Sequence, residues 1–248
     1  RRPAKPVPHS WVSEAPATYL FPPPKAGFAG LLAALPGALA RLMVRPATRP
    51  ILRNPRNWLM LLMAMRLVRL CRTHDILHLH VHSCARAALV AALARQIDGP
   101  PYSLVLHGAI QTYGPHQRFK WQGARFVFVV SEMLRHQVSE ILPDMMEKTS
   151  VVPMGVDVEI FTPPPARREP GEGFTWFCCA RLNRGKGHDT LLEALQRLRG
   201  EGGNVRLVIA GEDEQGGSGY RREIEKEIDR LGLRDVVTLL GAVRQEDV

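Results

Sequence analysis

The run Cys179-Ala180-Arg181-Leu182-Asn183-Arg184-Gly185-Lys186-Gly187-His188-Asp189-Thr190 leads from an apolar strand, Phe174 to Ala180, through a basic loop into a helix that starts at His188. A helix N-terminus offers unbonded N–H groups and a partial positive charge, which suits an anion. Arg181 and Lys186 add two full positive charges and directional donors for phosphate oxygens. Gly185 and Gly187 let backbone approach a ligand closely. The combination reads as a diphosphate site, against the plainer reading of a solvated basic loop. It is not a P-loop, because G-x-x-x-x-G-K-[ST] is absent.

An α/β rhythm extends in both directions from this loop. Downstream, a helix spans His188 to Arg199, with Leu191, Leu195 and Leu198 on one face. A strand from Val205 to Ala210, a helix from Ser218 (its expected cap) to Leu231, and a strand from Val236 to Leu240 follow. Gln245-Glu246-Asp247 looks ready to open another helix. Upstream, strands are expected at Ile76 to Val81, Ser103 to His107, Phe126 to Val130 and Thr149 to Val152. Between them lie an alanine-rich helix, Ser83 to Ile97 with Ser83 as its cap, and a helix from the Ser131 cap through Leu142. Apolar strands alternating with helices argue for parallel, doubly wound sheets. The proline- and glycine-rich stretch from Thr162 to Gly173 separates the two series. The expected organisation is therefore a first domain over 1–162, a linker over 163–173 and a second domain over 174–248.

Residues 1–26 are proline-rich and read as an irregular lead-in. From Gly27 to Thr73, broken by Pro46, Pro50 and Pro55, two amphipathic helices bearing several arginines are expected. Trp58, Leu61, Leu62 and Met65 form an apolar stripe, with Arg69 falling where it would continue. These helices read either as a core-facing pair with a solvated basic side or as a membrane-surface and lipid-acceptor face.

Composition narrows the function class. Hydrophobic residues make up 45% and charged residues 23%, as in an ordinary folded protein. Net charge is +9, from 33 basic and 24 acidic residues, with a pI near 9.9. Such a surplus fits nucleic acid, an anionic membrane or phosphorylated small molecules. Only 6% of residues are aromatic and no stacking platform is interleaved with the basic ones, which argues against nucleic acid. The longest apolar stretch, Trp58 to Met65, is far short of a membrane span, and no signal peptide is visible. Cys71, Cys84, Cys178 and Cys179 form no C-x-x-C pair and read as small buried hydrophobes in a reducing compartment.

The motifs, taken in order, resemble glycosyltransferase family 4, the retaining, group 1 type with the GT-B fold of two Rossmann-like domains. The resemblance is carried by Arg181-Leu-Asn-Arg-Gly-Lys186-Gly with Val208-Ile209-Ala210-Gly211-Glu212 downstream. It is carried also by Val152-Pro153-Met154-Gly155-Val156-Asp157, by Asp75-Ile-Leu-His78-Leu-His80-Val-His82, and by Leu106-His107-Gly108-Ala109. It covers roughly 75–248. The resemblance implies that Arg181 and Lys186 hold the diphosphate of a UDP- or GDP-linked sugar and stabilise the departing negative charge. It implies that His107 contacts the donor sugar, that Gly211 opens the loop beneath the nucleotide, and that Val243 or its neighbours touch the base through backbone. No metal is expected. The acceptor would be lipid-linked or a glycan, in exopolysaccharide or cell-envelope synthesis. The protein would act in the cytoplasm at the inner membrane face, in peripheral contact with anionic lipid. Two family features are absent: the Glu-x7-Glu pair and the opening strand with its glycine-rich turn. Both domains are therefore expected to be incomplete, and the chain alone to be inactive.

Two other segments invite chemistry. His78, His80 and His82 would share one strand face, but Asp75 is oddly spaced from them, so packing or site-lining is expected rather than metal. The acidic Gly211-Glu212-Asp213-Glu214-Gln215-Gly216-Gly217-Ser218-Gly219 loop would repel phosphate and reads as a flexible surface loop. Competing functions are a phosphorylase or epimerase of the same fold, and a non-catalytic basic binding module.

Overall fold

A computed structural model of the protein describes residues 17, 18, 20, 28–159, 161, 162 and 173–244. The expected linker, the helix opening at Gln245 and nearly all of the lead-in lie outside the described residues. The fold divides into two compact units, Thr18–Phe161 and Thr162–Val248.

The first unit opens with helices. Helix α1 spans Phe28–Met43, the short α2 Arg49–Leu52, and α3 Trp58–Thr73. Pro50 sits in the first turn of α2, where its missing N–H costs nothing. The buried stripe of α3 is Met60, Leu61, Ala64, Val68 and Cys71; of the expected set only Leu61 is on it, with Leu62 and Met65 half-buried and Trp58 exposed. Trp58 is 40% exposed and its indole N–H donates to the Leu52 carbonyl 2.8 Å away, so it seals the preceding turn instead. Along this stripe α3 packs on α4, with Met60, Leu61, Ala64 and Val68 against Leu89, Val90, Leu93 and Ala94. Arg69 is exposed and off that stripe. Leu42, Ile51, Leu52, Leu61 and Leu93 are buried to within 1% in this layer. Each such side chain contributes about 1.5–3 kcal/mol.

A parallel sheet follows, with strands β1 Leu79–Val81, β2 Tyr102–Leu106, β3 Val127–Val129 and β4 Thr149–Val151 in the order β1-β2-β3-β4. Helices α4 Arg86–Arg95, α5 Gln117–Gln122 and α6 Glu132–Ile141 lie between them in sequence. Strand β2 is buried along its whole length, and it reads as apolar apart from Ser103. Ser131 caps α6 as expected, its hydroxyl accepting from Leu134 N–H. Ser83 does not cap α4: the cap position is Ala85, and the Ser83 hydroxyl accepts from the N–H of Ala85 itself, ahead of the helix. Helix α5 had no counterpart in the sequence reading. It carries Trp121, fully buried, and Lys120, which is 2% exposed.

The second unit is a three-stranded parallel sheet, β5 Phe174–Cys179, β6 Val205–Ala210 and β7 Val237–Gly241, in that order. Helices α7 His188–Gly200 and α8 Tyr220–Arg230 bury Leu192, Leu195, Ile224 and Ile228 against Leu207 and Ile209. Cys71 and Cys84 are buried as expected, but Cys178 is only partly covered and Cys179 is exposed. The two adjacent residues point to opposite faces of β5, and one of those faces is not packed by α7 and α8. All four thiols are free.

Candidate functional site

Because β5, β6 and β7 run parallel, their C-terminal ends lie side by side and deliver three loops to one end of the sheet. Arg181 follows β5, Gly211 follows β6, and Val243 stands two residues beyond β7. Backbone bonds lock these loops together: Ala180 N–H to Ala210 carbonyl at 3.0 Å, Gly211 N–H to Gly241 carbonyl at 2.7 Å, and Leu182 N–H to Glu212 carbonyl at 3.2 Å. Gly211 has φ +147°, and a Cβ there would lie 1.8 Å from the Ala180 carbonyl oxygen, so only glycine fits.

The basic loop turns once as a 3-10 segment, Arg184–Lys186, and enters α7 through Gly187 at φ +68°. Gly187 brings no side chain to cap the helix, so the first N–H groups of α7 receive no side-chain cap. Lys186 is exposed and makes no ion pair among the described residues. Arg181 is exposed, with Glu214 Oε1 at 3.7 Å from its Nη1. Arg184 turns away, pairing with Glu223 and lying over the Tyr220 ring at 5.5 Å. Beneath the loop, His188 is fully buried, and burial holds its imidazole below the ordinary histidine range.

The acidic loop after β6 is built around a buried group, contrary to its reading as a flexible surface segment. Asp213 is 7% exposed and its carboxylate accepts from the N–H groups of Gly217 (2.7 Å), Gly219 (2.9 Å) and Arg221 (3.0 Å). Burial alone would raise its pKa, but these backbone donors outweigh it and hold the carboxyl below the usual range. Asp213 thereby takes the N-terminal role at α8 that Ser218 was expected to play; the Ser218 hydroxyl donates to the Gln215 carbonyl instead. Glu212 is neutralised by Arg221 at 2.8 Å.

In the first unit the histidines share a face, as the alternation predicted. Register pairs His80 with Ser103, and Ser103, Val105 and His107 keep the same parity. The fully buried Ser103 hydroxyl meets His78 Nε2 at 3.0 Å and His80 Nδ1 at 2.8 Å. His82 Nδ1 lies 2.8 Å from His107 Nε2, with the two rings stacked at 4.6 Å and 25°. Burial first, and the neighbouring His82 second, hold the His107 imidazole below its ordinary range. Asp75 is not on the strand at all: it turns the chain before β1 with φ +51°. No cluster of three metal-ligating side chains occurs among the described residues.

Close by, a pocket of about 670 Å³ is lined by Leu59, Met63, Leu67 and Val90, together with His82 and Arg86. The arginines of the preceding helices, Arg41, Arg49, Arg53, Arg56, Arg69 and Arg72, are exposed. They make no ion pair among the described residues.

The sequence profile described as Glycosyltransferase Family 4 matches residues 22–160, and that of Glycosyl transferases group 1 matches 163–248. The chain belongs to glycosyltransferase family 4. This family 4 chain is 28% identical, over 197 residues, to the GDP-mannose-dependent alpha-(1-6)-phosphatidylinositol monomannoside mannosyltransferase of Mycobacterium tuberculosis. That match covers 74% of the chain and 50% of the mycobacterial enzyme. A second relative is a human phosphatidylinositol N-acetylglucosaminyltransferase subunit, 36% identical over 103 residues, covering 41% of the chain and 20% of that protein. The chain spans no more than about half the length of these curated relatives. Among solved structures, Anabaena HepE in complex with UDP-glucose superposes with a TM-score of 0.62 at 21% identity, covering 89% of the chain and 66% of HepE. Sucrose-phosphate synthase of Thermosynechococcus elongatus gives 0.59 at 18% identity, covering 76% and 51%. These likenesses show the GT-B fold, with its two parallel sheets. Lys120 is the buried charge that the family motifs did not mark: its amine donates to the Cys84 and Tyr113 carbonyls at 3.0 and 3.1 Å.

Proposed function

We propose that the protein of which this chain forms part transfers a sugar, with retention, from a nucleotide-sugar donor to a lipid-linked acceptor. The carrying observation is the loop between β5 and α7, where Arg181 and Lys186, which makes no ion pair among the described residues, precede a helix N-terminus without a side-chain cap. In this reading the second unit holds the donor, with 163–173 as linker, and the first unit serves the acceptor. Arg181 and Lys186 bind the diphosphate and stabilise charge as the nucleoside diphosphate leaves, so the bond to the anomeric carbon breaks without a metal. Glu214 does not block this, because an exposed pair at such a distance is worth at most about 1 kcal/mol. Gly211 keeps the floor of the site free of side chain, and Val243 meets the base through its backbone. His107 contacts the donor sugar.

The lipid acceptor is supported by the names of the two curated relatives, by the exposed arginines of α1 to α3, and by the apolar pocket beside His82 and Arg86. It implies work at the inner face of a membrane, in cell-envelope glycan synthesis. No helix among the described residues is long and apolar enough to cross a membrane.

The test is a screen of UDP- and GDP-linked sugars with the complete protein, with and without lipid extract as acceptor. Arg181→Ala and Lys186→Ala should each lower transfer by a factor of about 100 or more. Near-normal rates in both variants would remove the assignment, and product formed without acceptor would favour a phosphorylase or epimerase.

A further inference from the structure

Each neutral imidazole offers one donor and one acceptor, so a bond between two ring nitrogens couples the two tautomers. The 2.8 Å contact of His82 Nδ1 with His107 Nε2 requires one of those nitrogens to carry hydrogen and the other a lone pair. Stacking at 4.6 Å fixes the plane of the His107 ring as well. The other two histidines of this face cannot substitute. His78 and His80 are both engaged with Ser103, and His80 meets His82 only edge-on at 5.7 Å. His82 stands outside the paired β1 register, one residue beyond Val81, where its ring can lean across Val105 toward the end of β2.

We propose that His82 is a positioning residue for His107: their hydrogen bond engages Nε2 and holds the ring, so that His107 meets the donor sugar through its Nδ1 edge. The proposal rests on the transferase reading for its link to catalysis, but not for the hydrogen bond itself. Protonation of either ring changes the pair, and the charged and titratable groups facing it are His80 and Arg86, which line the same pocket. Two imidazolium rings could not keep the bond, since neither nitrogen would hold a lone pair.

The first measurement is long-range ¹H–¹⁵N NMR of the chain labelled at histidine, with His107→Ala and His82→Ala used for assignment. The expected wild-type result is a His107 Nε2 shift displaced from that of an imidazole in water at pH 7.5, as a hydrogen-bonded nitrogen requires. His82→Ala should remove that displacement, with an unchanged melting temperature. His82→Asn, whose side-chain amide occupies the place of Nδ1, should restore it. The second measurement is steady-state transfer by the complete protein. His82→Ala should lower kcat by about tenfold or more, the range for losing a partner that orients an imidazole, with KM for donor little changed. His82→Asn should recover most of the wild-type kcat. A His107 spectrum unmoved by His82→Ala overturns the proposal, as does an Asn variant as weak as the Ala variant. If the wild-type protein transfers no sugar, the transferase reading fails, while the NMR result still decides whether His82 holds the His107 ring.

Discussion

Gly211 stands so close to Ala180 that a Cβ at its position would lie 1.8 Å from the Ala180 carbonyl oxygen. The two residues end neighbouring strands, and their contact brings the basic loop and the acidic loop to the same place. Gly211→Ala must push the strands apart and also strain a backbone at φ +147°. The expected cost is about 3 kcal/mol or more, read as a fall of roughly 10 °C or more in the melting of the second unit. Unchanged melting would show that the loops are not held as described.

Burial pushes the Lys120 amine down to about 8. In an unfolded chain a lysine keeps its proton to about 10.4, so between these values the unfolded state holds more protons than the folded one. Stability should therefore rise with pH above about 8, by at most about 1.4 kcal/mol per pH unit. Cys84, pushed up to about 12 by burial, works in the opposite sense once pH passes its ordinary value of 9.0. The urea midpoint of the first unit should thus climb between pH 8 and 9 in the wild type and stay flatter in Lys120→Met. Equal slopes in both would refute the assignment to Lys120.

The lowered pKa of His107 predicts where activity fails in acid. A neutral imidazole should persist below the ordinary value of 6.5, so the acid limb of kcat/KM should lie below that pH. His82→Asn removes the smaller of the two causes, and the limb should move up, without reaching the value of a free histidine because burial remains. Profiles of the complete protein from pH 4.5 to 8 would decide it; a limb that moves down under this substitution contradicts the electrostatic account.

Thiol chemistry offers a check on packing. In the chain, Cys179 is exposed, whereas Cys84 is fully buried and its thiol is pushed up to about 12. Alkylation at pH 8 should modify Cys179 first and Cys84 last, as peptide mapping over a time course would show. Prior labelling of Cys84 would mean that the first unit opens more readily than its core implies.

The parallel α/β architecture was legible because buried strands leave apolar runs, as at Leu104, Val105 and Leu106. Strand ends were less so. Ile76 and Leu77 looked like the start of β1, yet they are 42% and 82% exposed, since an apolar letter does not say whether a neighbour covers it. Ser131 caps α6 as expected, but the Ser83 and Ser218 caps failed for a related reason. Ser218 has the right chemistry, but Asp213 reaches three N–H groups across the loop, a distance in sequence that local rules do not span. At the candidate site, spacing marked Arg181 and Lys186 and the family resemblance marked Gly211; the three lie in loops at the same end of the second sheet. The His82–His107 bond was not, because it depends on the register of β1 against β2. Lys120 gave no sign, since its burial comes from the segments around Cys84 and Tyr113.

The Asp213 carboxylate measures the chain that follows it. One pair of oxygens collects N–H groups four, six and eight residues downstream, so the spacing to each is as constrained as any side chain. Substitutions at Glu214 or Gln215 leave that ruler intact; adding or deleting one residue between Asp213 and Arg221 does not. The loop that looked most permissive in composition is therefore tolerant of identity and intolerant of length.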